Sequence, residues 1–244
     1  MSAAARPGLR VIEDAAYCIG GEYRGRRIGS FGDTQVFSFH PNKNITTGEG
    51  GCVVTRDAKM QRDIKLLRFH GIDREATSEL ARRGLPHYEI GLAGYQFNMM
   101  DLQAALGLHQ LPRLDAINDR RRRLADRYRQ ALAACPGLRC PRTPAYPHTH
   151  AWHLFAPLVE ADASGASRDD LMLCLRERGM GTGLHYQAIH LSSFYAKRYG
   201  WTRGDFPNAE YISDRVVSLP QFPDMTEADQ DRVVVALAAI FGEV

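Results

Sequence analysis

Val36-Phe37-Ser38-Phe39-His40-Pro41-Asn42-Lys43-Asn44 is the stretch that decides how this chain is read. The aromatic and β-branched run predicts a short buried strand, and a lysine stands just past its end. Upstream, Val11-Ile12-Glu13-Asp14-Ala15-Ala16 is a second short apolar run that ends in acid. In an α/β sheet, ligands gather outside the carboxyl ends of the strands. An amine and a carboxylate at two such ends form a chemically matched pair. The amine can hold an aldehyde as an imine, and the carboxylate can keep a ring nitrogen protonated so that the ring acts as an electron sink. Pyridoxal phosphate chemistry requires both groups.

Neither residue decides alone. Asp14 by itself suits a turn or a helix cap, and Lys43 by itself suits a solvated loop. The context adds Ser38 and His40 beside the lysine, and the turn Thr47-Gly48-Glu49-Gly50-Gly51 just after it. A small hydroxyl binds phosphate, and glycine turns let backbone N–H groups approach an anion.

Further strands are predicted at Leu9 to Asp14, Gln35 to Phe39 and Gly51 to Thr55, with a small hairpin over Gly20 to Arg27. Asp57 is placed to cap a helix that carries Met60, Ile64, Leu66 and Leu67. Strands alternating with helices predict an α/β sheet. Asp73 to Leu92 is polar and contains Pro86, which predicts a long surface loop. A long helical region follows from Asp101 to Ala134, with a break near Pro112. The expected organisation is a first lobe over 1–112 and a second over 113–244. In the second, strands are predicted at Trp152 to Val159 and Met180 to His185. A helix over Ser167 to Arg178 has capping-box spacing to Asp170 and Gly179 at its far end. A last helix begins at Thr226, with Asp229 three residues on and an apolar stripe of Val233, Leu237, Ile240 and Phe241.

The chain has 244 residues, 44% hydrophobic and 24% charged, with a net charge of +3. These are ordinary globular values, and the charge is too small to argue for a nucleic-acid partner. The run Arg120-Arg121-Arg122-Arg123 is expected to be a solvated helix face. Five cysteines (Cys18, Cys52, Cys135, Cys140, Cys174) show no C-x-x-C pair, which fits free thiols in a reducing compartment. No apolar run approaches the ~18 residues of a membrane span, and Met1 to Ala5 lacks the apolar core of a signal peptide, so the cytoplasm is expected. His148, His150 and His153 form an H-x-H-x-x-H cluster. In an extended strand the first two share a face and the third points away, so no metal site is expected.

Val-Ile-Glu-Asp-Ala-Ala at 11–16, Phe-Ser-Phe-His-x-x-Lys-Asn at 37–44 and Gly-Glu-Gly-Gly at 48–51 together resemble the DegT/StrS-type sugar aminotransferases. These are fold-type I pyridoxal phosphate enzymes that aminate nucleotide-linked keto sugars. His70-Gly71, Gly94-Tyr95-Gln96-Phe97-Asn98-Met99-Met100-Asp101, His150-Ala151-Trp152-His153-Leu154-Phe155, Gly181-Thr182-Gly183-Leu184-His185-Tyr186 and Ser218-Leu219-Pro220 continue the likeness. It runs from about Leu9 to the C-terminus.

The resemblance implies roles residue by residue. Lys43 forms the internal imine and, once released, shuttles a proton between sugar and cofactor. Asp14 pairs with the pyridinium nitrogen, and Ser38 donates to the cofactor phosphate. Asn98 reaches the phosphate in the neighbouring subunit of a homodimer, and His185 faces the sugar nucleotide. Related sugar dehydratases carry histidine in place of Lys43, so the lysine favours amino transfer. The motifs around His185 and His190 look most like the enzyme that makes UDP-4-amino-4-deoxy-L-arabinose from a UDP-4-keto-pentose, with glutamate as donor and 2-oxoglutarate as product, in lipid A modification.

Two departures stand out. Tyr17 occupies a cofactor-contacting position where the family usually has His or Gln. The family's long N-terminal part, which supplies phosphate-binding and ring-stacking groups, has no counterpart before Val11. The implied fold is therefore an incomplete large domain with a parallel-type sheet, plus a smaller α+β C-terminal domain. Weak or absent activity of the isolated chain is expected, and the alternative is a truncated remnant that acts at most as a dimerising or binding module.

Overall fold

The computed structural model describes residues 9–73 and 82–242. The expectations for Met1 to Gly8 and for the middle of the Asp73 to Leu92 excursion lie outside the described residues. The chain divides into two compact units, residues 1–115 and 116–244.

The first unit is built on a three-stranded mixed sheet of β1 (Ile12–Asp14), β4 (Thr34–Ser38) and β5 (Gly51–Thr55), with β4 in the centre. β1 runs parallel to β4, with Asp14 opposite Val36. β5 runs antiparallel to β4, where a parallel sheet is expected from the sequence. The connection over 39–50 holds no crossover helix, and the chain returns directly alongside β4. Between β1 and β4 lies the predicted hairpin, β2 (Glu22–Tyr23) against β3 (Arg26–Arg27). Arg27 ties it to the chain at Asp115 through two parallel bonds, Nη1 to Oδ1 at 2.7 Å and Nη2 to Oδ2 at 3.0 Å.

Helix α1 (Ala58–Leu67) starts where Asp57 predicts. Its carboxylate accepts the Lys59 and Met60 N–H groups at 2.9 and 3.1 Å. After α1 the chain makes a close crossing. Gly71 has φ +70°, and a Cβ there would run into the Leu92 carbonyl; a Cβ on Gly94 would run into the Gly71 backbone. Only glycine fits both places, which gives the His70-Gly71 and Gly94-Tyr95 motifs a steric reason. Short strands Ile72–Asp73 and Glu89–Ile90 pair antiparallel at the base of the excursion. Helix α2 (Asp101–Gln110) then passes through a 3-10 turn at Leu111–Arg113 into the helix Leu114–Ala131. The turn contains Pro112, whose missing N–H and fixed φ interrupt the α-helical ladder at the expected place.

The second unit has its own core. Leu124, Tyr128, Leu132, Phe155, Val159, Leu171, Leu175, Val217, Leu219, Val233 and Leu237 pack together with at most a few per cent of their surface exposed. Tyr128 and Phe155 stack with ring centroids 5.0 Å apart. The helices Arg168–Glu177 and Glu227–Phe241 both begin with the predicted capping boxes, Ser167 with Asp170 and Thr226 with Asp229. Thr226→Ala removes an acceptor for the Asp229 N–H at the start of the last helix. It is expected to lower stability by about 1 kcal/mol, read as a shift of the urea midpoint at unchanged slope.

Three expectations change in this unit. The strand expected over Trp152 to Val159 shrinks to Leu158–Val159, paired with Leu138–Arg139. Trp152 adopts φ +44° and Pro157 follows, so the extended run is interrupted. Met180 to His185 makes only a single bridge, Gly183 with Ser218. The arginine run is not solvated throughout: Arg123 is exposed and Arg120 and Arg122 are half-buried, but Arg121 is 5% exposed. Helical periodicity puts it on the stripe of Leu124, Ala125 and Tyr128. Its guanidinium donates to the carbonyls of Trp152, His153 and Gln221 at 3.4, 3.0 and 3.3 Å. Burial lowers its pKa from the ordinary arginine value.

Candidate active site

The carboxyl ends of the parallel pair β1 and β4 make one edge of the first unit's sheet. Asp14 closes β1 and Ser38 closes β4, two residues beyond Asp14's partner Val36. The Ala15 N–H bonds to the Val36 carbonyl at 2.9 Å and carries the pairing just past Asp14. One carboxylate oxygen of Asp14 accepts the Ala16 N–H at 3.0 Å. The carboxylate is otherwise on the exposed side of the strand. Ser38 Oγ accepts the His40 N–H at 3.3 Å, which leaves its own proton for another acceptor.

Lys43 rides on the connection between β4 and β5, in a turn closed by its N–H to the His40 carbonyl at 3.0 Å. Its Nζ lies over the Tyr17 ring, 3.7 Å from the centroid. The side chain is partly buried, and burial lowers its pKa from the usual lysine value; the Asp14 carboxylate acts in the opposite direction. A lysine that is more readily neutral is a better nucleophile toward a carbonyl. Asp14→Asn removes the opposing charge. We expect the Lys43 pKa to fall further in that variant, checked by amine labelling across pH with mass-spectrometric readout.

The lysine connection is held rigidly. Phe39 and Gly50 close it at 2.8 Å, and the Thr47 N–H reaches the Phe39 carbonyl at 3.0 Å. Gln110 at the end of α2 clamps Thr46 from both sides, accepting its N–H at 3.0 Å and donating to its carbonyl at 2.7 Å. Gln103 donates to the Glu49 carbonyl at 2.9 Å. Sequence reasoning missed both glutamines. Their spacing of seven on one helix puts them on one face, but nothing local says that the face meets the lysine loop. Gln110→Ala is expected to raise amide exchange in 44–48 by roughly 10-fold or more, the effect of losing two bonds worth about 1 kcal/mol each.

The remaining candidates sit elsewhere. Asn98 lines a cavity of about 400 Å3 with Arg62, Lys65, Arg68, Phe69 and Met99. Its Oδ1 is buried without a hydrogen-bond partner among the described residues. His185 belongs to the second unit, where its Nδ1 pairs with Ser218 Oγ at 2.8 Å. The histidine cluster splits: His150 Nδ1 accepts the Trp152 N–H at 2.8 Å, while His153 is buried. Among the described residues, all five cysteines are free.

A model of the DegT/DnrJ/EryC1/StrS aminotransferase family matches residues 1–238. The chain belongs to this family. Among solved structures it is similar to DesV from S. venezuelae, at 35% identity and TM-score 0.86 over 100% of this chain and 61% of that one. A family aminotransferase from Brucella abortus matches at 31% identity and TM-score 0.82, over 99% of this chain and 60% of that one. Spr1654 from Streptococcus pneumoniae in its PLP form matches at 27% and TM-score 0.83, over 95% and 57%. The chain thus spans about 60% of the length of the solved structures it matches. Its fold is that of the pyridoxal-phosphate-dependent sugar aminotransferases.

The donor set on the sheet edge fits pyridoxal phosphate chemically. It offers an amine for the aldehyde, a carboxylate for the ring nitrogen and a hydroxyl proton for the phosphate. No helix among the described residues is long and apolar enough to cross a membrane.

Proposed function

We propose that this family member takes part in a pyridoxal-phosphate-dependent amino transfer to a nucleotide-linked 4-keto sugar, with a UDP-4-keto-pentose favoured, glutamate as donor and 2-oxoglutarate as product. The observation that carries the reading is the partly buried Lys43 on the connection after β4, within electrostatic reach of the Asp14 carboxylate. When bound, the cofactor supplies an aldehyde and an electron-withdrawing ring. Lys43 would hold that aldehyde and, when displaced, carry a proton from one carbon to another. Asp14 would keep the ring nitrogen protonated, and Ser38 would donate to the phosphate. Asn98 would serve the phosphate of a second subunit, in a cytoplasmic homodimer that shares its active sites. His185 would meet the sugar nucleotide. The pentose and the link to lipid A rest on the motif likeness around His185 and His190 alone.

A second reading, binding or dimerisation with little turnover, is favoured by the apolar surface of the first unit. Ile12, Leu102 and Leu108 are 71%, 74% and 70% exposed, large apolar side chains that a partner surface would cover. Incubation with pyridoxal phosphate, borohydride reduction and peptide mapping separate the two. Pyridoxyl mass on Lys43, together with glutamate-dependent amination of UDP-4-keto-pentose, supports the first. A dimer that carries no pyridoxyl mass supports the second.

A further inference from the structure

Tyr17 stands where the resemblance leads one to expect histidine or glutamine, and in this chain the lysine side chain lies across it. Lys43 Nζ is 3.7 Å from the centroid of the Tyr17 ring, well inside the roughly 6 Å within which a cation is drawn to a ring face. A histidine or glutamine offers no comparable electron-rich face for an ammonium group.

We propose that Tyr17 is the seat of the Lys43 ammonium, a positioning residue whose ring face holds the catalytic lysine whenever the lysine is not attached to the cofactor. The inference rests on the reading of Lys43 as the cofactor lysine. It adds where that side chain goes when it is released and protonated. A lysine that must let go and return needs a resting place close enough for return. A ring face supplies one that binds the charged form and releases the neutral form. Tyr17 follows Asp14 by three residues, so the strand end that presents the carboxylate also presents the ring.

The surrounding charges are few. Asp14 on β1 acts on Lys43 directly. Cys18, next to Tyr17, has its pKa raised by burial first and by Asp14 second, which keeps it a neutral thiol. On the lysine's own loop, His40 and Glu49 face each other at 3.9 Å. From α2, the side chains that hold this loop are the neutral Gln103 and Gln110.

The test reads the amine without any cofactor. The full chain is trace-labelled with acetic anhydride from pH 7 to 11, and the acetylation of Lys43 is followed by mass spectrometry, with Lys59 and Lys65 as internal controls. Tyr17→Leu keeps an apolar cover but removes the ring face. Its Lys43 labelling midpoint is expected to fall by about half a pH unit, so that labelling at a fixed pH below the midpoint rises about threefold. Tyr17→Phe keeps the face and is expected to hold the wild-type midpoint. Should the leucine variant fail to fold, Tyr17→Met makes the same change. The proposal is overturned if the Leu or Met variant keeps the wild-type midpoint, or if Tyr17→Phe shifts as far as they do, which would assign the effect to the hydroxyl. Borohydride trapping of pyridoxyl mass on wild-type Lys43 is scored separately. A labelling shift without trapping supports the ring seat and defeats the cofactor reading, and trapping without the shift does the reverse.

Discussion

Lys43→Ala is expected to retain the fold and to lose all pyridoxyl mass at this loop after borohydride trapping. Amino transfer, where measurable in the wild type, falls by about 10²–10⁴-fold or more, the range set by losing a positioned proton carrier. The fold should survive because Lys43 lies on a connection closed by backbone bonds on either side of it, Phe39 to Gly50 and Thr47 to Phe39. The lysine packs on Tyr17 at the surface of that loop, and alanine leaves no buried group unpaired there. Far-UV circular dichroism and the urea midpoint should match wild type. A variant that still transfers the amino group at the wild-type rate would remove Lys43 from the role.

Phe155→Ala is expected to destabilise the second unit by about 3–5 kcal/mol, the usual cost of deleting a fully buried phenyl ring. Phe155 has no exposed surface, stacks on Tyr128 at 5.0 Å and lies 6.0 Å from the Trp152 ring. A domain's whole stability is typically about 5–15 kcal/mol, so a loss of this size removes much of it. Both tryptophans of the chain, Trp152 and Trp201, lie in this unit, so their fluorescence reports its unfolding selectively. A urea midpoint within error of wild type would show that the core closes over the gap and that the stack contributes little.

What could be read from the sequence follows from how local each signal is. Asp57, Ser167 and Thr226 announced helix starts because a cap and its N–H partners lie within three residues of each other. Asp14 and Lys43 stand out in the sequence because each follows a short apolar run. The direction of β5 was less legible, since connection length alone leaves a crossover open over 39–50, and the family resemblance led toward a parallel sheet. Other features depend on distant partners. The burial of Arg121 needs the carbonyls of Trp152, His153 and Gln221, which no spacing rule predicts. The grip of Gln110 on Thr46 spans 64 residues. Tyr17 was marked as a departure, but its ring became interpretable only once the lysine was found lying on it.

The double grip of Gln110 on Thr46 has a kinetic meaning. A side chain mounted on a loose loop must search for its target each time it acts, and that search adds an entropic barrier to every cycle. Here the loop is fastened to a helix by the two Gln110 bonds to Thr46, which restrain the backbone that carries Lys43. On the proposed reading, the search is finished when the chain folds, and the amine would then act as a tethered reagent at high effective molarity. Lengthening the segment between Lys43 and Gly50 with glycines would leave every reacting group in place and still slow the lysine, because it would return a search that folding had removed.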